Sequence, residues 1–197
     1  MTCDAAWLDK LAAPAAERAP VVVTATVDGR VGARVSLDTP REPAQWSAVL
    51  HRPEIADDWL PAALGVGRAE LLAAGVIYQA IDVPLVGGLF HFRRQTVVGV
   101  DWLADGERVR TCWTALDSAP WQGTIAAWDT GATWQTAGQA MGGWDVTALP
   151  TGGSRASYQV WVDDQTVVPG VQEWAMSRTL PQMILAYAAR VEAVAAP

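Results

Sequence analysis

The chain has 197 residues, enough for one domain or at most two small ones, and can bury about 70% of its unfolded surface without a metal or disulfide staple. Its formal charge of −7 offers no basic footprint for nucleic acid or an anionic membrane. With 51% apolar and 18% charged residues the chain is not a disordered one, and no apolar run approaches the roughly 20 residues that span a bilayer.

Met1 to Arg18 lacks the cationic start and apolar core of a secretory leader, which gives a cytoplasmic expectation. Trp7, Leu8, Leu11 and Ala15 recur at helical spacing, so residues 1–20 are expected to hold a short helical segment. Residues 21–197 are expected to form one domain. Val21 to Val27 and Arg30 to Leu37 read as strands joined by a hairpin turn at Asp28-Gly29. In the second strand Val31, Ala33, Val35 and Leu37 oppose Arg30, Arg34 and Ser36, which predicts one wet face. Pro43 to Leu50 reads as a helix with proline in its first turn, and Glu54 to Leu60 as a second short helix. From Arg68 the period changes to two. Ala69 to Leu72, Val76 to Val83, Phe92 to Trp102, Glu107 to Leu116, Gly143 to Leu149 and Ser154 to Val162 read as antiparallel strands. In the tail Leu180, Met183, Ile184, Tyr187, Ala188 and Val191 make one apolar stripe, a helix of about four turns with Pro181 near its start. The sum is an α+β domain, a curled antiparallel sheet with one long C-terminal helix and two short helices after the first strands. The space between sheet and helix is either packed solid or holds a ligand.

Motifs for chemistry are scarce. His51 and His91 have no metal spacing between or around them, and Met141-Gly142-Gly143-Trp144 lacks the serine of a nucleophile elbow. Cys3 and Cys112 make no disulfide framework, and Cys112 reads as a small buried hydrophobe. Asp57-Asp58, Asp163-Asp164 and Asp101 with Asp105 lie beside turns or helix ends, where solvated carboxylates are ordinary. No catalytic and no metal-binding residue is assigned. Arg94 shares its strand face with Phe92, Thr96, Val98, Val100 and Trp102. Turned inward it would cost several kcal/mol unless paired, so it reads either as an anchor for a ligand oxygen or as an exposed arginine at a strand start. Leu85, Val86, Gly87, Gly88, Leu89 and Phe90 read as a gate over a cavity mouth or as a long hairpin loop. The chain carries 11 Trp against 2 Phe and 3 Tyr, which suits pocket walls or a core that uses tryptophan as its aromatic filler.

Three groups of segments, in this order, resemble the START-type lipid-transfer domains of the helix-grip superfamily, which also holds polyketide cyclases. The first is Pro43 to Leu50 followed by Trp59-Leu60-Pro61. The second is Val76-Ile77-Tyr78 through Pro84, then Arg94-Gln95-Thr96-Val97-Val98. The third is Gly142 to Val146, Ser157 to Val160, Val168-Pro169-Gly170 and Trp174 to Pro181. Gln95 stands where those domains often have aspartate, and Ser177 where asparagine is common. Ala119 to Met141, with Trp121, Trp128 and Trp134, has no counterpart. The resemblance implies a helix-grip fold with an apolar cavity between sheet and terminal helix and no built-in cofactor. The partner would be a lipid or other hydrophobic small molecule, with no nucleic acid and at most transient membrane contact. Arg94 would position the ligand's polar end, and Tyr78, Thr96, Val98, Trp144, Tyr158, Met183 and Tyr187 would line the walls. The leading expectation is a carrier or sensor. The alternatives are a polyketide cyclase or aromatase using Arg94 with Tyr78 or Tyr158, and an interaction module whose own tryptophans fill the pocket.

Overall fold

A computed structural model describes residues 7, 9–14, 18–52, 66–85, 90–104, 107–126, 135–136, 139–163 and 169–195. At 66–68, 81–85, 90–94, 103–104, 126, 135–136, 139, 169 and 195 the description is of backbone alone. The elements in chain order are β1 (Val21–Val27), β2 (Arg30–Thr39), α1 (Pro43–Leu50), β3 (Val66–Ala73), β4 (Val76–Leu85), β5 (Phe90–Ala104) and β6 (Arg108–Leu116). A short 3-10 turn (Ala119–Trp121) leads into α2 (Gln122–Ala126), followed by β7 (Gln135–Thr136), β8 (Gln139–Ala148), β9 (Ser154–Asp163) and α3 (Pro169–Ala195). Eight strands form one antiparallel sheet in the order β1-β2-β9-β8-β6-β5-β4-β3, and the two-residue β7 pairs parallel to β5 beside this path.

Local sequence explains the joints. Asp28 and Gly29 both adopt positive φ, 51° and 78°, which is the geometry of a two-residue turn whose twist matches its strands. Pro43 opens α1, and the Gln45 side chain accepts from the Glu42 N–H at 2.9 Å, so a donor left over at the helix start is satisfied. The Trp46 indole N–H donates to Thr39 Oγ1 at 3.3 Å and ties α1 back to β2. On the sheet's concave face, β2 presents Val31, Ala33, Val35 and Leu37, with β9, β8 and α3 completing the main core around Trp46, Trp144, Leu180, Ile184 and Val191. Among the described residues no helix is long and apolar enough to cross a membrane.

The expected antiparallel sheet and terminal helix are both present, and several details differ. Strand β2 has no wet face: Arg34 is 7% and Ser36 0% exposed. The N-terminal segment covers that side. Arg34 Nη1 donates to the Leu11 carbonyl at 2.8 Å, while Gln159 Nε2 and Trp161 Nε1 donate to the Trp7 carbonyl at 2.7 and 3.0 Å. The Trp7 carbonyl also accepts from the Lys10 N–H at 3.3 Å, which closes a single turn. The described part of the segment is a tight turn around Trp7 and Asp9, then irregular backbone at 10–14, in place of an α-helix.

Helix α3 starts 11 residues before Leu180, and Pro181 lies inside it. Its first half exposes Val171 and Trp174 and buries Gln172, so no apolar stripe announces it. The ring nitrogen of Pro181 cannot donate to the Ser177 carbonyl. Nearby, the Ser177 and Thr179 hydroxyls donate to the Trp174 and Ala175 carbonyls at 2.8 and 2.9 Å. Cys112 is buried and disulfide-bonded rather than a free apolar filler; Cys3, the only other cysteine, lies outside the described residues. So does the expected helix Glu54 to Leu60. The expected gate is shorter than the sequence suggests: Pro84 pairs with His91 and Leu85 with Phe90 at the ends of β4 and β5. Val86, Gly87, Gly88 and Leu89 lie outside the described residues.

Candidate functional site

The site is built at the middle of the concave face, where β6, β8 and β9 meet the second half of α3. In the register of the sheet the concave positions read Ala156, Tyr158, Val160 on β9, Gly142, Trp144, Val146 on β8 and Val109, Thr111, Trp113 on β6. Trp144 is the hub. Its ring centroid lies 5.0 Å from Tyr158, 4.7 Å from Tyr187 of α3 and 5.7 Å from Trp46 of α1. The rings are tilted against one another, an arrangement that aligns positive edges with negative faces.

Trp113 joins this cluster to the next. A Cβ at Gly142 would sit 2.7 Å from the Trp113 ring, so only glycine there lets the indole lie across β8. Beyond Trp113 a second small cluster holds Ala69, Ile77, Val98 and Val100. At the other side Trp102 of β5 stacks on His51 with centroids 4.0 Å apart and planes 17° apart. The His51 Nδ1 lies 2.8 Å from the Ser47 carbonyl, which fixes the ring at the end of α1.

Tyr158 and Tyr187 lie deep in the protein. Burial, with a contribution from Tyr187, raises the Tyr158 phenol far above the usual tyrosine range, and burial raises Tyr187 to about 12. Both phenols are therefore neutral at any physiological pH. Yet both side chains keep accessible surface, as do Trp102, Trp113, Val160 and Met183 around them. These side chains are the candidate walls of a binding space.

The convex side of the same strands is charged and closed. Asp145 of β8 accepts two hydrogen bonds from Arg108, at 2.8 and 2.7 Å, and lies 3.6 Å from Arg34. Burial alone would raise the Asp145 carboxyl, but the Arg108 hydrogen bond and the charges of Arg108, Arg110 and Arg34 hold it below the usual carboxylate value. Arg34 is lowered by burial, with Asp145 and Asp9 acting against that. Arg110 Nη2 donates to Asp9 at 2.6 Å, so the N-terminal segment seals this network.

Of the residues expected to line the site, the structure brings Trp144, Tyr158, Met183 and Tyr187 together. Val98 lies in the adjoining cluster. Tyr78 stands apart. It pairs with Val97, packs with Ala80, Val97 and Ile125, and its hydroxyl donates to Gln95 Oε1 at 3.2 Å. Tyr78 and Thr96 border a crevice of about 10 Å³ against Ser118, Gln122 and Ile125, room for one water at most. Arg94 pairs in backbone register with Ile81 and Gln135, and its side chain is outside the description. Sequence reasoning missed Trp113, Trp102 and Trp46. Trp113 was open to it, since it alternates with Val109 and Thr111 on one strand face. Among the described residues no cluster of three or more His, Cys, Asp or Glu could hold a metal ion.

No protein-family model and no curated protein matches the chain. Solved structures do. A STAR-related lipid transfer protein from Xanthomonas axonopodis is 13% identical with a TM-score of 0.66, covering 88% of this chain and 93% of that one. Human StAR-related lipid transfer protein 5 is 8% identical with a TM-score of 0.58, covering 88% and 87%. The Zhui aromatase/cyclase from a Streptomyces species is 12% identical with a TM-score of 0.55, covering 83% and 94%. The fold is the START-type helix-grip fold that these proteins share.

Proposed function

We propose that this chain binds a lipid or other hydrophobic small molecule in the space between the concave face and α3, as a carrier or sensor. The observation that carries the reading is the pair Tyr158 and Tyr187, deep within the protein and still with accessible surface. The likeness to lipid-transfer proteins supports it. Trp144, Tyr158, Met183, Tyr187 and Val98 form the proposed wall. Thr96 and Arg94, at alternate positions of β5 before Val98, are proposed further contacts. The way in is proposed at 86–89, flanked by Leu85 and Phe90, where glycines supply backbone freedom. Contact with membranes would be brief, because no basic cluster accompanies that segment.

The test is native mass spectrometry of the purified protein, followed by extraction and identification of whatever is bound. A hydrophobic adduct that is displaced by added ligand supports the reading. Protein that is empty as purified and takes up neither lipids nor ring-bearing hydrophobes defeats it. Hydrogen exchange then locates the way in: ligand should slow exchange at 86–89 more than at 124–133, and the reverse order moves the role to the tryptophan-rich stretch. A second reading, a cyclase, is supported by the likeness to an aromatase/cyclase. Within it the two phenols stay protonated at neutral pH, so they could supply a proton but not take one.

A further inference from the structure

Cys112 is 2% exposed and disulfide-bonded, and the chain has one other cysteine, Cys3. On β6 the positions Arg108, Arg110 and Cys112 alternate with the concave Val109, Thr111 and Trp113, so Cys112 faces the convex side. The N-terminal segment lies on that same side. Its Leu11 carbonyl accepts from Arg34 of β2, and its Trp7 carbonyl accepts from Gln159 and Trp161 of β9. Its Asp9 accepts from Arg110, two residues before Cys112. Traced back from Leu11 to Trp7, the segment crosses from β2 to β9 in the order of the sheet, and the next strands are β8 and β6. No side chain stands between them on this row: Gly143 of β8 is opposite Gln159, and a Cβ there would fall 3.2 Å from the Cys112 Cα. Two strand spacings, about 10 Å, separate β9 from β6. The four residues from Trp7 back to Cys3 reach up to about 14 Å.

We infer that Cys3 and Cys112 form one intrachain disulfide and that this bond is a redox latch: oxidised, it clamps the N-terminal segment over the convex face, and reduced, it lets that segment leave. With the bond the segment is fixed at both ends, at Cys112 and where β1 begins at Val21. Without it only the β1 end stays fixed, and a segment held at one end frays. Its departure uncovers Arg34, Gln159 and Trp161, on strands whose other face carries Val35, Tyr158 and Val160. Reduction is a two-electron exchange with a dithiol. One thiolate of the reagent attacks the Cys3 sulfur, since burial shields Cys112, and Cys112 leaves as a thiolate. The second thiolate attacks the mixed disulfide, closes the reagent into a ring disulfide and frees Cys3, and the reagent's two protons end on the two cysteines. A bond of this kind persists in an oxidising compartment and opens in a reducing one.

The full chain is equilibrated with oxidised glutathione, alkylated without reduction, digested and weighed. The peptides carrying Cys3 and Cys112 should appear as one linked species that dithiothreitol splits. Two alkylated cysteines per chain, or a linkage between two chains, overturns the inference. Hydrogen exchange and thermal unfolding then compare the oxidised chain with the same chain in dithiothreitol. Reduction should speed exchange of the Lys10 N–H, which is bonded to the Trp7 carbonyl, by about tenfold. It should lower Tm by about 10 °C, because the bond closes a long loop. Cys3→Ser leaves the buried Cys112 in place, and should reproduce the reduced behaviour and lose the response to dithiothreitol. If that variant fails to fold, the reduced wild-type chain gives the same comparison. A linked pair whose reduction moves neither exchange nor Tm overturns the latch, as does a dithiothreitol response that survives Cys3→Ser. No ligand enters the experiment, so its failure leaves the binding reading standing.

Discussion

The two halves of the sheet are built differently. Strands β2, β9 and β8 are covered on both faces: α3 and α1 pack on the concave side and the N-terminal segment on the convex side. Trp161, 0% exposed, is held edge-on against Trp7 with ring centroids 5.2 Å apart, and a Cβ at Gly32 would fall 2.4 Å from its ring. Among the described residues strands β3 to β5 show small clusters. Ala69, Ile77 and Val98 form one, and Tyr78, Ala80, Val97 and Ile125 another on the opposite face. Leu71 on β3 is 58% exposed. Interiors packed to high density transmit strain and resist change, while sparsely packed regions open locally. The first half therefore carries the stability, the second can adapt, and the aromatic site lies on the seam between them.

The largest expected effect breaks the closed half. Trp161→Ala should cost about 3–5 kcal/mol in denaturant unfolding, because it empties a fully buried site and removes the surface on which Trp7 docks. Leu71→Ala on the open half should stay within about 0.5 kcal/mol. Similar losses at both positions would refute the division. Next comes the ion network. Asp145→Asn removes a carboxylate 3.6 Å from Arg34, which is 7% exposed, a loss of about 3 kcal/mol. Because the folded Asp145 carboxyl lies below its ordinary value of 3.8, its contribution is present above that value. It is lost as pH falls through the folded value. Asp145→Asn should therefore flatten the acid limb of the stability curve. An unchanged acid limb would show that the network is not what acid unfolds.

How far the sequence reveals this architecture depends on what each feature leaves in the residue pattern. Alternation from Arg30 to Leu37 reveals β2, and Asp28-Gly29 reveals its turn, because both are local. The wet face assigned to Arg34 and Ser36 is wrong for a nonlocal reason: residues 7–11 return to cover them, and nothing in β2 records that. Tyr78 looks like a wall residue because it is aromatic and sits on a strand. The pairings Tyr78 with Val97 and Ile77 with Val98 put it on the other face, and such a one-residue parity depends on the register of the whole sheet. Trp144, Tyr158 and Tyr187 are recoverable because strand period and helix stripe independently aim them at one space. The placement of the Trp113 ring across β8 is not recoverable, since it depends on Gly142 leaving room on a neighbouring strand.

A smaller effect tests the seam through its phenols. Tyr187 is raised from 10.0 to about 12 by burial. The folded state thus holds this proton more tightly than the unfolded chain. That advantage is complete below pH 10 and is lost as pH rises from 10 towards 12, a fall of about 2–3 kcal/mol. Tyr187→Phe should flatten this alkaline limb. Tyrosinate absorbance should show the wild-type group ionising late. If instead all three tyrosines titrate together near the ordinary value while the chain remains folded, the space around Tyr187 is open to solvent and the enclosed site does not exist.

The smallest effect is the sharpest on position. Tyr78→Phe removes one hydroxyl whose described bond, to Gln95 Oε1 at 3.2 Å, is long for an O–H donor. The expected cost is about 1 kcal/mol, with the ring's packing against Ile125 and Val97 kept. Since Tyr78 belongs to the convex cluster of β3 to β5, ligand affinity should not move, whereas Tyr158→Phe, on the proposed wall, should change affinity. The two variants remove the same atom from the same residue type. What remains is which face of the sheet the hydroxyl occupies. An affinity loss in Tyr78→Phe matching that of Tyr158→Phe would mean that ligand reaches both faces, and the seam would no longer be the site.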